Sequence, residues 1–273
     1  MDAALILCRA LHYTAAIALF GVSVFQATAA AAILVVCVTT LLWLLLEAAE
    51  VTNDWIDAMS PATISALLFE TEFGRVWQWR LGFAATLLAI LVMRRHDNWR
   101  LTAFSSALVL ASLGFVGHGA MHEGAEGWVN LGSHTFHLLA AGLWLGSLVP
   151  LLACLPMLRH PVLGADAAIA LRRFSRLGAV AVATVLITGV ANTWLVLKKW
   201  PIDFLSPYQT LLLAKIGLVA AMIGSALVNR FVLTPRLGSR ANALGRLRAN
   251  TLAEVALGIG AIVLVSILAA CRT

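Results

Sequence analysis

The chain has 273 residues, of which 61% are hydrophobic and only 12% charged, and its mean hydropathy is +0.92. A soluble domain carries about 25% charged residues, so about half the usual solvated surface is missing. That argues against a soluble enzyme, a nucleic-acid-binding module or a disordered chain, and the net charge of +6 reads as the basic loops of a polytopic membrane protein.

The opening apolar run holds Arg9 and His12 and is followed by no small-residue cleavage site, so it is expected to be a retained span. Crossing about 30 Å of hydrocarbon takes about 20 helical residues. Eight stretches qualify, near 5–22, 27–46, 77–93, 101–118, 132–153, 177–197, 208–229 and 252–271. No alternating strand pattern is present, so these are helices, whose backbone groups are satisfied internally. The third is short and contains Arg80. Trp77 and Trp79 suit an interfacial position there, from which an arginine can snorkel.

Between the second and third stretches, Ser60-Pro61 has the form of an N-cap followed by proline at the first helical position. An amphipathic interfacial helix is expected near 61–73, with Ile64, Leu67, Leu68 and Phe69 on the membrane and Gly74 ending it. Arg94, Arg95 and Arg100, then Arg159, Arg172, Arg173 and Arg176, then Arg230, Arg236, Arg240, Arg246 and Arg248 fill three loops on one side. That side is cytoplasmic by the positive-inside rule. Lys198 and Lys199 are exceptions on the outer side. The expected architecture is all-α: a single integral-membrane domain over 1–273, a transmembrane helical bundle of about eight spans with both termini periplasmic.

Histidine placement points to the chemistry. Five of the 7 histidines map to the outer half: His12, His118, His122, His134 and His137. His118 and His122 are spaced to share a helical face, as are His134 and His137. Imidazole suits copper, zinc and nickel, and thioether sulfur favours Cu(I). Met121 lies between His118 and His122, and Met59 lies in the outer 47–76 connection, so copper is favoured over zinc. A lone histidine at a span end is ordinarily just interfacial. Several histidines from separate helices are harder to dismiss, because polar groups in a membrane are costly and tend to be functional.

Other polar residues fall inside the spans. Lys215 is the deepest charge, with Glu254 one partner and the outer interface or a pathway the alternatives. Asn192 and Asn229 read as interhelical glue, and Gly142 and Gly146 as a close helix contact. Cys8, Cys37, Cys154 and Cys271 are far apart and read as buried apolar residues. No phosphate-binding loop, nucleophile elbow or complete zinc-protease motif occurs, so no enzyme activity is expected.

These residues resemble the copper resistance protein D (CopD/PcoD) family of bacterial inner-membrane proteins. The similarity covers nearly the whole chain. It starts with Leu11-His12-Tyr13 leading to Phe20-Gly21, and continues through Thr71-Glu72-Phe73-Gly74-Arg75-Val76-Trp77-Gln78-Trp79-Arg80. Gly117-His118-Gly119-Ala120 is similar to the family's outward histidine turn. The most specific piece is His137-Leu138-Leu139-Ala140-Ala141-Gly142-Leu143-Trp144-Leu145-Gly146, and Arg173-Phe174-Ser175 and Asn229-Arg230 with Pro235 fit the later loops.

The resemblance implies an eight-span inner-membrane protein that takes copper ions from the periplasm towards the cytoplasm. It implies a separate periplasmic copper carrier of the CopC type as partner, besides the lipid bilayer. His12, His118 and His137 match the family's histidines, and Met59-Ser60 is similar to its Met-Ser or Met-Ala pair. Copper uptake for homeostasis and resistance is the leading function. A haem-binding electron-transfer protein with axial histidines and a non-transporting copper sensor or docking protein stay open.

Overall fold

A computed structural model of the chain describes residues 2–25, 29–93, 98–115, 124–198, 200–201, 203–237 and 242–270. Among the described residues there are ten α-helices and no strands: α1 (Asp2–Val24), α2 (Ala30–Thr52), α3 (Trp55–Ala58), α4 (Pro61–Glu70), α5 (Glu72–Val92), α6 (Trp99–Ser112), α7 (Gly124–Cys154), α8 (Gly164–Leu197), α9 (Pro207–Val228) and α10 (Ala243–Ala270). The eight apolar stretches fall on α1, α2 and α5 to α10. Six of these helices, α1, α2 and α7 to α10, are long and apolar enough to cross a membrane, and α6 is a shorter apolar helix.

Several helices begin well before their apolar stretch: α7 at Gly124, α8 at Gly164 and α10 at Ala243. Adding a residue to an existing helix is far easier than nucleating one, so a helix runs on through polar turns outside the hydrocarbon. Apolarity marks the membrane, not the helix end.

The expected interfacial helix is α4. Ser60 caps it, its hydroxyl accepting from the Thr63 N–H at 3.1 Å, with Pro61 in the first turn. It stops at Glu70, and Gly74 plays a different part from the one expected. Thr71 ends α4 and caps α5, its hydroxyl accepting from the Gly74 N–H at 2.9 Å. A Cβ on Gly74 would lie 2.1 Å from the Leu67 carbonyl oxygen, so glycine lets α5 fold back against the end of α4. Leu67 accordingly faces the protein core, while Phe69 is 69% exposed.

The bundle is organised around α1, which packs on α2, α6, α7 and α10. It meets α7 backbone to backbone. A Cβ on Gly21 would lie 2.1 Å from the Gly146 carbonyl carbon, and one on Gly146 would lie 2.1 Å from the Ile17 oxygen. The close contact expected of Gly146 is thus made with α1, while Gly142 admits the Leu110 and Phe20 side chains. One core unites α1, α2, α5 and α6, and two smaller ones lie among α7 to α10. Val38, Val92 and Ile187 are exposed, as lipid-facing residues must be.

Candidate functional site

The first histidine site lies where α1, α2 and α5 meet. His12 is completely buried. Arginine can only donate, so Arg80 Nη2 donates to His12 Nε2, at 2.5 Å. That leaves Nδ1 as the protonated nitrogen, donating to Thr39 Oγ1 at 2.8 Å. The Thr39 hydroxyl donates in turn to the Val35 carbonyl at 2.6 Å. Every member of the relay has one possible role, so the imidazole is neutral and fixed.

Arg80 is 1% exposed, which corrects the expectation that it snorkels to the interface. Its guanidinium lies over the rings of Trp77 and Trp43, 4.7 and 5.4 Å from their centroids. Arg80 Nε and Nη1 and Trp77 Nε1 are buried without a hydrogen-bond partner among the described residues. The nearby carboxylate, Glu47, is engaged elsewhere: Arg9 pairs with it at 3.4 Å, and Trp43 Nε1 donates to it at 3.2 Å. Aromatic faces thus stand in for a counter-ion at Arg80.

The second site joins α7 and α8. His137 Nδ1 and Thr188 Oγ1 are 2.9 Å apart, and the Thr188 hydroxyl donates to the Thr184 carbonyl at 2.6 Å. Thr188 therefore accepts from Nδ1–H, and Nε2 is left as the nitrogen with a lone pair. Gly189 borders the ring, where a Cβ would make an ordinary van der Waals contact with His137 Cε1 at 3.5 Å. Lys215 on α9 and His134 are the charged and titratable neighbours of this imidazole. Lys215 does not pair with Glu254. The Glu254 carboxylate accepts from Asn229 Nδ2 at 2.5 Å, and Asn250 Nδ2 donates to Asn229 Oδ1 at 2.8 Å. The α9–α10 glue expected of Asn229 is present.

The two sites repeat one pattern. His-x-x-Ala-Ala-x-x-x-x-Gly occurs at 12–21 and again at 137–146. Since α1 and α7 run parallel and cross at Gly21 and Gly146, His12 and His137 both lie about 13 Å outward of the crossing. They are level but not together: His12 is enclosed by α2 and α5, and His137 is held by α8. Among the described residues no group of three or more His, Cys, Asp and Glu converges.

The remaining expected ligands divide. His118, Met121 and His122 lie outside the described residues. Gly114, in the turn that follows α6, lies beside α7: a Cβ there would be 2.6 Å from Thr135 Oγ1, between His134 and His137. His134 is half-buried on α7. Met59 is exposed at the turn between α3 and α4. Thr39, Thr188 and Arg80 were not legible as site residues from spacing, although the repeated His-to-Gly pattern marks where their partners sit.

Comparison with known proteins bears on this arrangement. Residues 1–128 match the copper resistance protein D-like, N-terminal domain family, and residues 168–268 match the copper resistance protein D family. Copper resistance protein D of Pseudomonas syringae pv. tomato is 30% identical over 234 residues, covering 81% of this chain and 74% of that protein. Inner membrane protein YebZ of Escherichia coli (strain K12) is 34% identical over 189 residues, or 68% of this chain. Copper transport protein CutJ of Bacillus subtilis (strain 168) is 27% identical over 226 residues, or 79% of this chain. The aligned part spans 63% of YebZ and 40% of CutJ. No solved structure gives a significant match.

Proposed function

The chain belongs to the copper resistance protein D family and is a multi-pass inner-membrane protein, and on that premise we propose that it takes copper ions from the periplasm into the cytoplasm through a histidine-lined outer mouth. The observation that carries the reading is the orientation of His137. Its Nδ1 is tied to Thr188, which presents Nε2 as a preset ligand atom. His118 and His122 lie outside the described residues and are taken as further ligands of the same mouth, beside His134 and His137 of α7. Met121 and, at the rim, Met59 add thioether sulfur suited to Cu(I). A separate periplasmic carrier of the CopC type delivers the ion to this face.

His12 has a conditional role. A copper ion reaches its Nε2 only after Arg80 withdraws, because guanidinium and metal compete for one lone pair and repel one another. The outer site must hold copper firmly enough to admit it and weakly enough to release it. The test is cytoplasmic copper in cells expressing the chain, beside the paired change His118→Ala with His137→Ala at matched expression. Accumulation that rises with the wild type and returns to background with the pair supports inward transport. Unchanged accumulation by a protein that still binds copper makes the outer site a docking or sensing device and removes the transport claim.

A further inference from the structure

At the end of the bundle opposite Lys198, α7, α8, α9 and α10 leave two adjoining cavities. The first, of about 360 Å³, is an apolar cleft walled by Leu171, Phe174, Gly178, Val182, Ile223 and Phe231. The second, of about 550 Å³, is walled by Arg159, Arg172, Arg176 and Arg230, and among the described residues no carboxylate lines it. Leu171, Ser175, Arg230 and Thr234 border both, so the two are continuous. The one acid on the apolar wall, Glu254, is turned onto Asn229.

Helix length gives the depth. From the C-terminal end of α8 at Leu197, about 20 residues span about 30 Å of hydrocarbon, which brings the membrane boundary close to Gly178. Gly178, Val182 and the rest of the apolar cleft therefore lie at acyl-chain level. Arg176 lies about half a turn beyond that boundary and Arg172 nearly two turns beyond it, at headgroup level. The guanidinium groups come from separate elements: Arg172 and Arg176 from α8, and Arg230 from the π-helical turn Asn229–Leu233 that continues α9. Arg230 Nη1 donates to the Ser175 carbonyl at 3.0 Å, which fixes it across the boundary between the cavities. All three arginines are exposed and have no carboxylate partner among the described residues.

We propose that this end of the bundle is a binding site for an anionic glycerophospholipid, with its phosphate among Arg172, Arg176 and Arg230 and one acyl chain in the cleft beside Gly178. Charge and depth choose the occupant together. Basic pockets between membrane helices attract phosphate headgroups, arginine forks fit phosphate oxygens, and an apolar cleft open to the bilayer accepts hydrocarbon. A soluble anion satisfies only the arginines. A zwitterionic lipid satisfies the cleft but brings its own cation.

The full chain, purified in detergent, is titrated with dioleoylphosphatidylglycerol, dioleoylphosphatidylcholine or inorganic phosphate, reading the thermal midpoint and retained lipid by mass spectrometry. Phosphatidylglycerol raises the midpoint and binds at least about tenfold more tightly than phosphatidylcholine. The triple change Arg172→Gln, Arg176→Gln and Arg230→Gln abolishes that preference. Gly178→Leu separates lipid from free anion. A Cβ there meets nothing within 4 Å, so the larger side chain fills the cleft without disturbing the backbone. It lowers phosphatidylglycerol retention while leaving all three arginines in place. Equal stabilisation by inorganic phosphate, equal retention of both lipids, or retention untouched by Gly178→Leu overturns the proposal.

Discussion

The two histidine sites are built alike and closed differently. In each, an imidazole Nδ1 donates to a threonine hydroxyl on the neighbouring helix, at 2.8 Å for His12 and 2.9 Å for His137. In each, that hydroxyl donates onward at 2.6 Å to the carbonyl four residues earlier. The threonine is thus turned into an acceptor, and the histidine keeps its lone pair on Nε2. At His12 that nitrogen is stoppered by Arg80; at His137 the cationic neighbour is Lys215 on α9. Even the cation's setting repeats. Arg80 lies nine residues after the N-cap Thr71, and Lys215 nine after the N-cap Ser206. The same module is closed by a buried guanidinium at His12 and, among the described residues, by none at His137.

The largest effect tests what holds the modules level. Gly21→Leu or Gly146→Leu drives a side chain into backbone 2.1 Å away and costs about 3 kcal/mol or more, so little folded monomer survives size-exclusion chromatography in detergent. Gly82→Ala, facing open space, leaves the elution profile intact. Equal behaviour of the two would remove the α1–α7 crossing as the keystone.

Next is the stopper itself. His12→Leu takes away the hydrogen bond that Arg80 makes and strands a buried guanidinium, a loss of about 3 kcal/mol. Arg80→Met removes a cation with two unpartnered nitrogens and is expected to be closer to neutral in thermal denaturation. If Arg80→Met proves the more damaging of the two, the aromatic box rather than the relay anchors that half.

Smaller effects distinguish the threonines. Thr188→Val releases the His137 ring at a cost of about 1 kcal/mol in stability, and weakens copper affinity about tenfold. Thr39→Val carries a similar stability cost and leaves copper affinity unchanged, because Arg80 still covers His12. Titration calorimetry with Cu(I) under reducing conditions reads the difference, and equal loss of affinity in both variants would erase the distinction between open and stoppered sites. Least of all, Glu126→Gln breaks an exposed pair with Lys198 (3.0 Å) and shifts stability by no more than about 1 kcal/mol.

Much of the fold was legible because hydrocarbon imposes a simple requirement. About 20 apolar residues per crossing pick out the eight stretches, and Ser60-Pro61 marks the start of α4 through a cap that is local to those residues. Arg80 was misread for an equally physical reason. A window of sequence records that a charge lies next to tryptophans near a span end, but not whether those rings face lipid or close over the guanidinium. Glu254 is one of three places the sequence leaves open for Lys215, because both are intramembrane charges; Asn229 takes that carboxylate instead.

The sequence by itself determined that this is a helical membrane protein, and it gives the expectation that one end is basic and that the histidines gather towards the other. These follow from composition and from periodicities shorter than one helix. Only the tertiary structure decided which nitrogen each histidine offers and to what. That choice depends on side chains 27, 51 and 68 residues away in the chain, brought into contact only when α1 packs beside α2 and α5, and α7 beside α8, which no window shorter than the bundle records.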